Sequence, residues 1–289
     1  MSKEVIEVLS LKSGDIVVDC TIGTGGHAEE LLKMISPKGR LIGIDRDVES
    51  LALAKERLNN FHYNLELVHD DFRNLDVILN KLNVKEADAF LFDLGVSSFQ
   101  LDNPERGFSL KFNGPLDMRL DKESYISAYD LVNHLSEGEI SSILKTFGEE
   151  RFHNRIASFL VKERSVKPIS TTQDLTDVVL KAIPYRYQSH KIHPATRAFQ
   201  AFRIAVNREL EALDIALDKA IHFLKRKGRI CVISFHSLED RIVKEKFRKF
   251  SIAGELKLIT KKPLRPAIDE MRKNIRCRSA RLRAAERIS

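Results

Sequence analysis

The stretch V-V-D-C-T-I-G-T-G-G-H, residues 17–27, decides how the chain is read. Apolar residues carry an extended backbone to Asp19, and Gly23, Gly25 and Gly26 then permit positive φ angles and close approach of backbone to a ligand. His27, Ala28, Leu31, Leu32 and Ile35 follow at helical spacing, so the free N–H groups of a helix start face the turn. Read as G-x-G-x-x-A from Gly23 to Ala28, the loop fits an S-adenosylmethionine site, a dinucleotide site or a purely structural turn.

Outward from this loop the chain alternates strand and helix. Ile16–Cys20, Arg40–Asp45, Leu65–Asp70 and Ala87–Asp93 are short apolar runs, most ending at an acid, and read as buried strands. Between them lie helical patterns at His27–Ile35, Val48–Leu58 and Asn74–Leu82. This βαβ repetition predicts a parallel sheet covered on both faces. The rhythm stops after Asp93. Residues 103–194 contain N-P-E-R-G-F, F-N-G-P-L-D-M-R-L-D and helix-like stretches with capping signals near Thr172. The expected division is a sheet domain from residues 1–108 and 206–289, with residues 109–205 forming an inserted, mainly helical substrate-recognition subdomain.

From Ala195 to Arg226 apolar residues recur every three or four positions, which predicts one long amphipathic helix. A fifth strand, Arg229–Phe235, follows, and Ser237 is the expected N-cap of the next helix. Glu255–Thr260 and Ser279–Glu286 are candidates for two last strands.

The 289 residues are 43% hydrophobic and 31% charged, a globular balance with a substantial core. No apolar run is long enough to span a membrane and the N-terminus lacks a secretion pattern, so a cytoplasmic location is expected. Cys20, Cys231 and Cys277 are far apart without C-x-x-C spacing, which argues against a disulfide framework or zinc cluster. The net charge is +7, and residues 255–289 alone hold eleven Lys or Arg against four acids. The whole excess therefore sits in one C-terminal segment, an electrostatic footprint for phosphate.

Ligands of such sheets bind beyond the carboxyl ends of the strands, where the topology switches. Asp45 ends the second strand, where a carboxylate can accept both hydroxyls of a ribose, or simply begin a helix. H-D-D-F ends the third, so Asp70 or Asp71 could meet an adenine amino group with Phe72 against the ring. The fourth strand places Asp93 at the rim, followed by a polar loop containing Gly95, Ser97, Ser98 and Gln100. An exocyclic amine is a weak nucleophile, because its lone pair is delocalised into the base. It needs acceptors that orient its N–H groups while a methyl donor lies in line, and positioning of this kind contributes about 7–11 kcal/mol.

V-D-C-T-I-G-T-G-G-H, D-L-G-V-S-S-F-Q-L-D, R-G-F-S-L with G-P-L-D-M-R-L-D, H-P-A-T-R-A-F-Q-A-F-R-I-A-V-N-R-E-L, I-S-F-H-S-L-E-D-R-I-V-K and R-S-A-R-L-R-A-A-E-R together resemble the bacterial RsmH (MraW) family. The blocks run in family order from near residue 17 to residue 287. The resemblance implies an α/β fold of class I methyltransferase type, a Rossmann-like, mostly parallel sheet with a helical insertion. It implies an enzyme that moves a methyl group from S-adenosylmethionine to the exocyclic N4 of a cytosine in the decoding region of small-subunit (16S) ribosomal RNA, with no metal. It assigns cofactor contacts to Gly25, Gly26, His27, Asp45, Phe72, Asp93 and Gln100. Asp93 is also the expected catalytic acceptor and His236 a candidate proton relay. Asp117, Arg119 and Arg197 are candidate substrate contacts, although Asp117 and Arg119 could simply pair with each other. Cys20, Ile22, Thr24 and Phe99 depart from the commonest family pattern without removing a proposed ligand.

The partner expected is free ribosomal RNA or the assembled small subunit, with no membrane. A nicotinamide-dependent oxidoreductase would share the loop and Asp45 but leave D-L-G-V-S-S-F-Q and the basic segment unused. A non-catalytic RNA-binding factor would explain the charge but not the acidic rim.

Overall fold

A computed structural model describes residues 1–188 and 192–289. The chain runs α1 (Ser2–Leu9), β1 (Ile16–Asp19), α2 (Gly26–Ile35), β2 (Arg40–Asp45), α3 (Val48–Arg57), β3 (Leu65–His69), α4 (Leu75–Lys81) and β4 (Ala87–Asp93). Six helices follow: α5 (Ser98–Asp102), α6 (Ala128–His134), α7 (Glu137–Gly148), α8 (His153–Arg164), α9 (Thr172–Ala182) and α10 (Thr196–Asn207). Then come α11 (Glu209–Phe223), β5 (Leu224–Ser234), α12 (Ser237–Ile252), β6 (Leu256–Leu258), α13 (Ile268–Lys273) and β7 (Arg281–Arg287). Two compact units result, Met1–Gly95 with Leu210–Ser289, and Val96–Glu209.

The first unit is built on a seven-stranded sheet of order β3-β2-β1-β4-β5-β7-β6. Strands β3 to β5 in that order are parallel, and β7 runs antiparallel to both β5 and β6. The unbroken apolar runs of the sequence have a simple cause. Val18, Ile42, Ile44, Phe90, Phe92, Ile230 and Val232 enter one core layer, while Val17, Leu41, Ala89, Leu91, Cys231 and Ile233 enter the other. Alternate residues of each strand are thus buried on opposite faces, each fully buried Val, Leu, Ile or Phe contributing about 1.5–3 kcal/mol relative to exposure. Salt links pin the covering helices: Lys219 on α11 reaches Asp76 on α4 at 2.6 Å, and Lys246 on α12 reaches Asp214 and Asp218 at 2.9 and 2.8 Å.

The second unit has its own core, with Val132, Leu144, Ile156, Leu160, Leu175, Val179, Phe199 and Phe202 at its centre. Its helices are locally well signalled: α5, α6, α7 and α9 start with reciprocal capping boxes from Ser97, Ser127, Ser136 and Thr171. The compact unit begins at Val96, earlier than the expected residue 109, and extends to Glu209. Val96, Leu101, Phe108 and Val206 all belong to its core.

Two sequence expectations are corrected. The helix expected from Ala195 to Arg226 is two helices, because Arg208 takes φ 49°, ψ 41° and ends α10. Asn207 stabilises that end: its side chain accepts the Leu120 N–H at 2.8 Å and donates to the Met118 carbonyl at 2.7 Å. The last residues of the expected helix, from Leu224, enter β5 instead. The N-cap of α12 is His236 rather than Ser237, its ring Nδ1 accepting the Glu239 N–H at 3.3 Å.

Candidate active site at the rim of the sheet

After β3 the chain crosses to the other side of β1 to form β4, so the topology switches beside β1. Asp19, Asp45 and Asp93 terminate β1, β2 and β4 at this point. The predicted glycine loop spans them. Gly25 sits at φ 83°, and a Cβ there would lie 3.0 Å from a Leu58 methyl carbon, so the turn into α2 requires glycine. Asp45 clasps the loop: its Oδ2 accepts the Gly23 N–H at 2.8 Å and its Oδ1 the Asp47 N–H at 2.9 Å. Both oxygens of the carboxylate thus help to shape the loop and the turn after β2. Burial pushes its pKa up, against the hydrogen bonds from Asp47 and Gly23.

Thr21, which the sequence reading passed over, is the tie between strands. Its N–H donates to Asp19 Oδ1 at 3.1 Å, and its hydroxyl accepts the Asp93 N–H at 2.6 Å. No local pattern marks it, since the partner lies in β4.

His27 and Asp93 form the polar centre. Nε2 of His27 lies 3.3 Å from Asp93 Oδ2. Asp93 Oδ1 is buried and has no hydrogen-bond partner among the described residues. A buried acceptor left unsatisfied costs about 1–3 kcal/mol, so this oxygen fits a site completed by an N–H of a ligand. Burial disfavours the His27 imidazolium, but the hydrogen bond to Asp93 and the charges of Asp93 and Asp19 outweigh it and hold the His27 pKa above its ordinary value. Asp19 is pushed up to about 7, first by burial and further by Asp93 and Asp45, against the opposing charge of His27. Burial likewise raises the Cys20 and Cys231 thiols, which therefore stay protonated and are poor nucleophiles.

The H-D-D-F turn is folded on itself. Asp70 accepts from the Asp71 N–H and from Asn74, while Asp71 caps the Arg73 N–H and pairs with Arg73 and Arg46 at 2.8 and 3.3 Å. Phe72 packs edge-on against Phe92, ring centroids 5.8 Å apart. His236 caps α12 through Nδ1, while its buried Nε2 lies 3.1 Å from Glu239 Oε1 without the geometry of a hydrogen bond.

The remaining site expectations lie in the helical unit. Gln100 is buried, and its side-chain carbonyl accepts the Ser97 N–H at 2.9 Å in the capping box of α5. Arg119 and Asp117 pair in a fork with a shortest contact of 2.6 Å, and Arg119 also donates to the Ser124 carbonyl at 2.6 Å. Arg197 donates to the Glu149 carbonyl at 3.2 Å. The R-G-F motif is a folding device, because the buried Arg106 donates to the carbonyls of Arg119 and Leu120 at 3.1 and 2.9 Å. Gly114 is obligatory for the same loop, since a Cβ would lie 1.9 Å from the Pro104 carbonyl oxygen.

The basic C-terminal segment divides in two. Arg281 and Arg283 of β7 hold Asp240 of α12 at 2.9 and 2.7 Å, and Arg287 donates to the carbonyls of Ile221 and His222. These charges fasten β7 to the unit. Lys257, Lys261, Lys262, Arg265, Arg272 and Arg278 are exposed. No described helix is long and apolar enough to cross a membrane.

A mostly parallel sheet with an antiparallel β7 inserted beside β5, and a glycine turn leading from β1 into α2, define a class I methyltransferase fold. The chain belongs to the MraW methylase family, whose model matches residues 1–288. Relatives named ribosomal RNA small subunit methyltransferase H include one from Halothermothrix orenii, 48% identical over 301 residues, covering 99% of this chain and 96% of the relative. Another, from Geotalea uraniireducens, is 48% identical over 303 residues, covering 100% and 97%. Among solved structures, an rRNA methylase from Streptococcus thermophilus aligns with a TM-score of 0.44 at 13% identity, over 100% of this chain and 94% of that one.

Proposed function

We propose that this methylase transfers a methyl group from S-adenosylmethionine to the exocyclic N4 of a cytosine in the decoding region of small-subunit ribosomal RNA. The observation that carries the reading is the buried, unpartnered Oδ1 of Asp93, beside a His27 that holds the other carboxylate oxygen. The names of the full-length relatives and the six sequence blocks support the choice of RNA.

Gly25, Gly26, His27, Asp45 and Phe72 are the residues we assign to the cofactor, and Gln100 rests on the family resemblance alone. When bound, the cofactor supplies an electrophilic methyl on a sulfonium centre. Asp93 accepts an N–H of the target amine, which orients its lone pair along the line of attack. Methyl transfer would leave S-adenosylhomocysteine and one proton from N4, for which we keep His236 as the candidate relay. The target base reaches such a cleft by leaving its stack, at a cost of a few kcal/mol. No covalent cysteine adduct is needed, in keeping with the raised thiols. Asp117, Arg119 and Arg197 as RNA contacts likewise rest on the resemblance, and a cytoplasmic site of action rests on the composition of the chain.

The test is transfer of labelled methyl from S-adenosylmethionine to unmodified small subunits and, in parallel, to free ribosomal RNA, followed by nucleoside mass analysis. N4-methylcytidine is the expected product. Label on another base, or none with either substrate, overturns the reading. Calorimetric titration with S-adenosylmethionine and with NAD distinguishes the methyl donor from a nicotinamide.

A further inference from the structure

The helical unit carries a cluster of rings and guanidinium groups at the edge of its core, anchored there by Phe152. Tyr185, Arg186 and Tyr187 form a short 3-10 turn after α9, and Arg151 and Phe152 form the turn that leads into α8. The fold brings these segments together. Arg151 lies over the Tyr187 ring at 5.2 Å and the Phe152 ring at 5.7 Å, while Arg186 lies over Tyr187 at 4.8 Å. The Phe152 and Tyr187 rings are 5.2 Å apart. Tyr185 is 82% exposed beside this cluster, which leaves its ring face open to stacking.

The cluster is held ready. Gln188 donates to the Leu180 and Ile183 carbonyls at 3.1 and 2.9 Å, fixing the turn on the end of α9. The neighbouring acid, Glu150, is turned inward to accept the Phe152 N–H at 2.8 Å. Neither Arg151 nor Arg186 has a carboxylate partner among the described residues.

We infer that Tyr185, Tyr187, Arg151 and Arg186 form a stacking platform for a single-stranded segment of RNA. Bases stack on exposed aromatic and guanidinium faces, and the uncompensated positive charge meets the phosphates. An A-form duplex hides the faces of its bases, so the platform selects unpaired nucleotides. This deepens the proposed function and rests on its choice of RNA as substrate.

The test measures binding of the full chain to a fluorescent single-stranded 12-nucleotide RNA, an RNA hairpin duplex and an acidic peptide, over a range of salt. Tyr185→Ala is expected to weaken binding of the single strand about 5- to 100-fold with little change in salt dependence, the scale of one lost base stack. Tyr185→Phe keeps the ring and is expected to bind within about twofold of the parent. Arg186→Ala is expected to reduce the salt slope by about 0.7, one phosphate contact on a single strand. Unchanged single-strand binding by Tyr185→Ala, equal losses for strand and duplex, or a loss confined to the acidic peptide would each overturn the platform. Methyl transfer by the unaltered protein reads the proposed function separately: if it methylates RNA while Tyr185→Ala binds normally, the platform alone fails. Unchanged affinity for S-adenosylmethionine and an unchanged melting temperature exclude misfolding of the variants.

Discussion

Nε2 of His27, at the start of α2, lies 3.3 Å from Oδ2 of Asp93, at the end of β4, leaving Asp93 Oδ1 buried and unpartnered. One carboxylate oxygen is therefore held by His27, and our proposal assigns the carboxylate to the target amine. Asp93→Ala is expected to lower methyl transfer about 100-fold or more, the scale seen when one aligned polar group is removed from a transition state. If that variant retains S-adenosylmethionine binding and the full single-turnover rate, Asp93 has no part in the chemistry.

His27→Ala removes the group that holds Asp93 Oδ2. A hydrogen bond to a charged partner contributes about 1.5–3 kcal/mol, so a loss of about 10- to 100-fold in kcat/KM is expected. Since the His27 pKa is raised, the ion pair is present at low pH and is lost as pH rises through that value. The alkaline limb of the pH–rate profile should change in His27→Gln, and a profile identical to the parent's would remove His27 from this role.

Asp19, pushed up to about 7 by burial, makes stability fall with pH. Between the unfolded carboxyl value of 3.8 and about 7 the folded protein holds a proton that the unfolded chain has released. Stabilisation by this neutral acid is thus full below the lower value and is lost as pH rises through the upper one. Urea midpoints should decline from pH 5 to pH 8, and Asp19→Asn should flatten that decline. A slope that Asp19→Asn leaves intact would assign the effect to another group.

Asp240 has the opposite sign. Burial alone would raise its pKa, but hydrogen bonds from Arg283 and Arg281 outweigh it and hold it low. Its contribution is present above the ordinary carboxylate range and is lost as pH falls through the lowered value. Asp240→Asn strips the buried Arg283 of its counter-charge and is expected to cost about 3–5 kcal/mol in a denaturant titration. A change below about 1 kcal/mol would show that water or another acid replaces it.

His236→Asn separates capping from proton transfer, because asparagine is a good N-cap and cannot relay a proton at neutral pH. We expect a melting temperature close to the parent's, and methyl transfer within a few-fold of it would leave His236 as a cap alone. A rate loss of about 100-fold with unchanged stability would assign His236 to the chemistry.

Much of the sheet unit was legible in the sequence because its signals are local. The apolar runs of β1, β2, β4 and β5, the glycines of the first turn and the acids at strand ends all lie within a few residues of what they specify. The same locality misled at residues 195–226, where apolar spacing continued through Arg208 but the backbone did not. Asn207 breaks the run by binding Met118 and Leu120, partners that no helical periodicity contains.

The sequence by itself therefore determined the parallel sheet, its glycine turn, the acidic rim and the family. Tertiary structure alone decided what the individual charges do. Arg281 and Arg283 read as part of a phosphate footprint until strand register set them on Asp240, 41 and 43 residues away. Likewise only the crossing of β4 beside β1 brings Thr21 and His27 to Asp93. The physical reason is range: turns and periodicity are written into neighbouring residues, whereas the partner of a charge is fixed only when distant strands come into register.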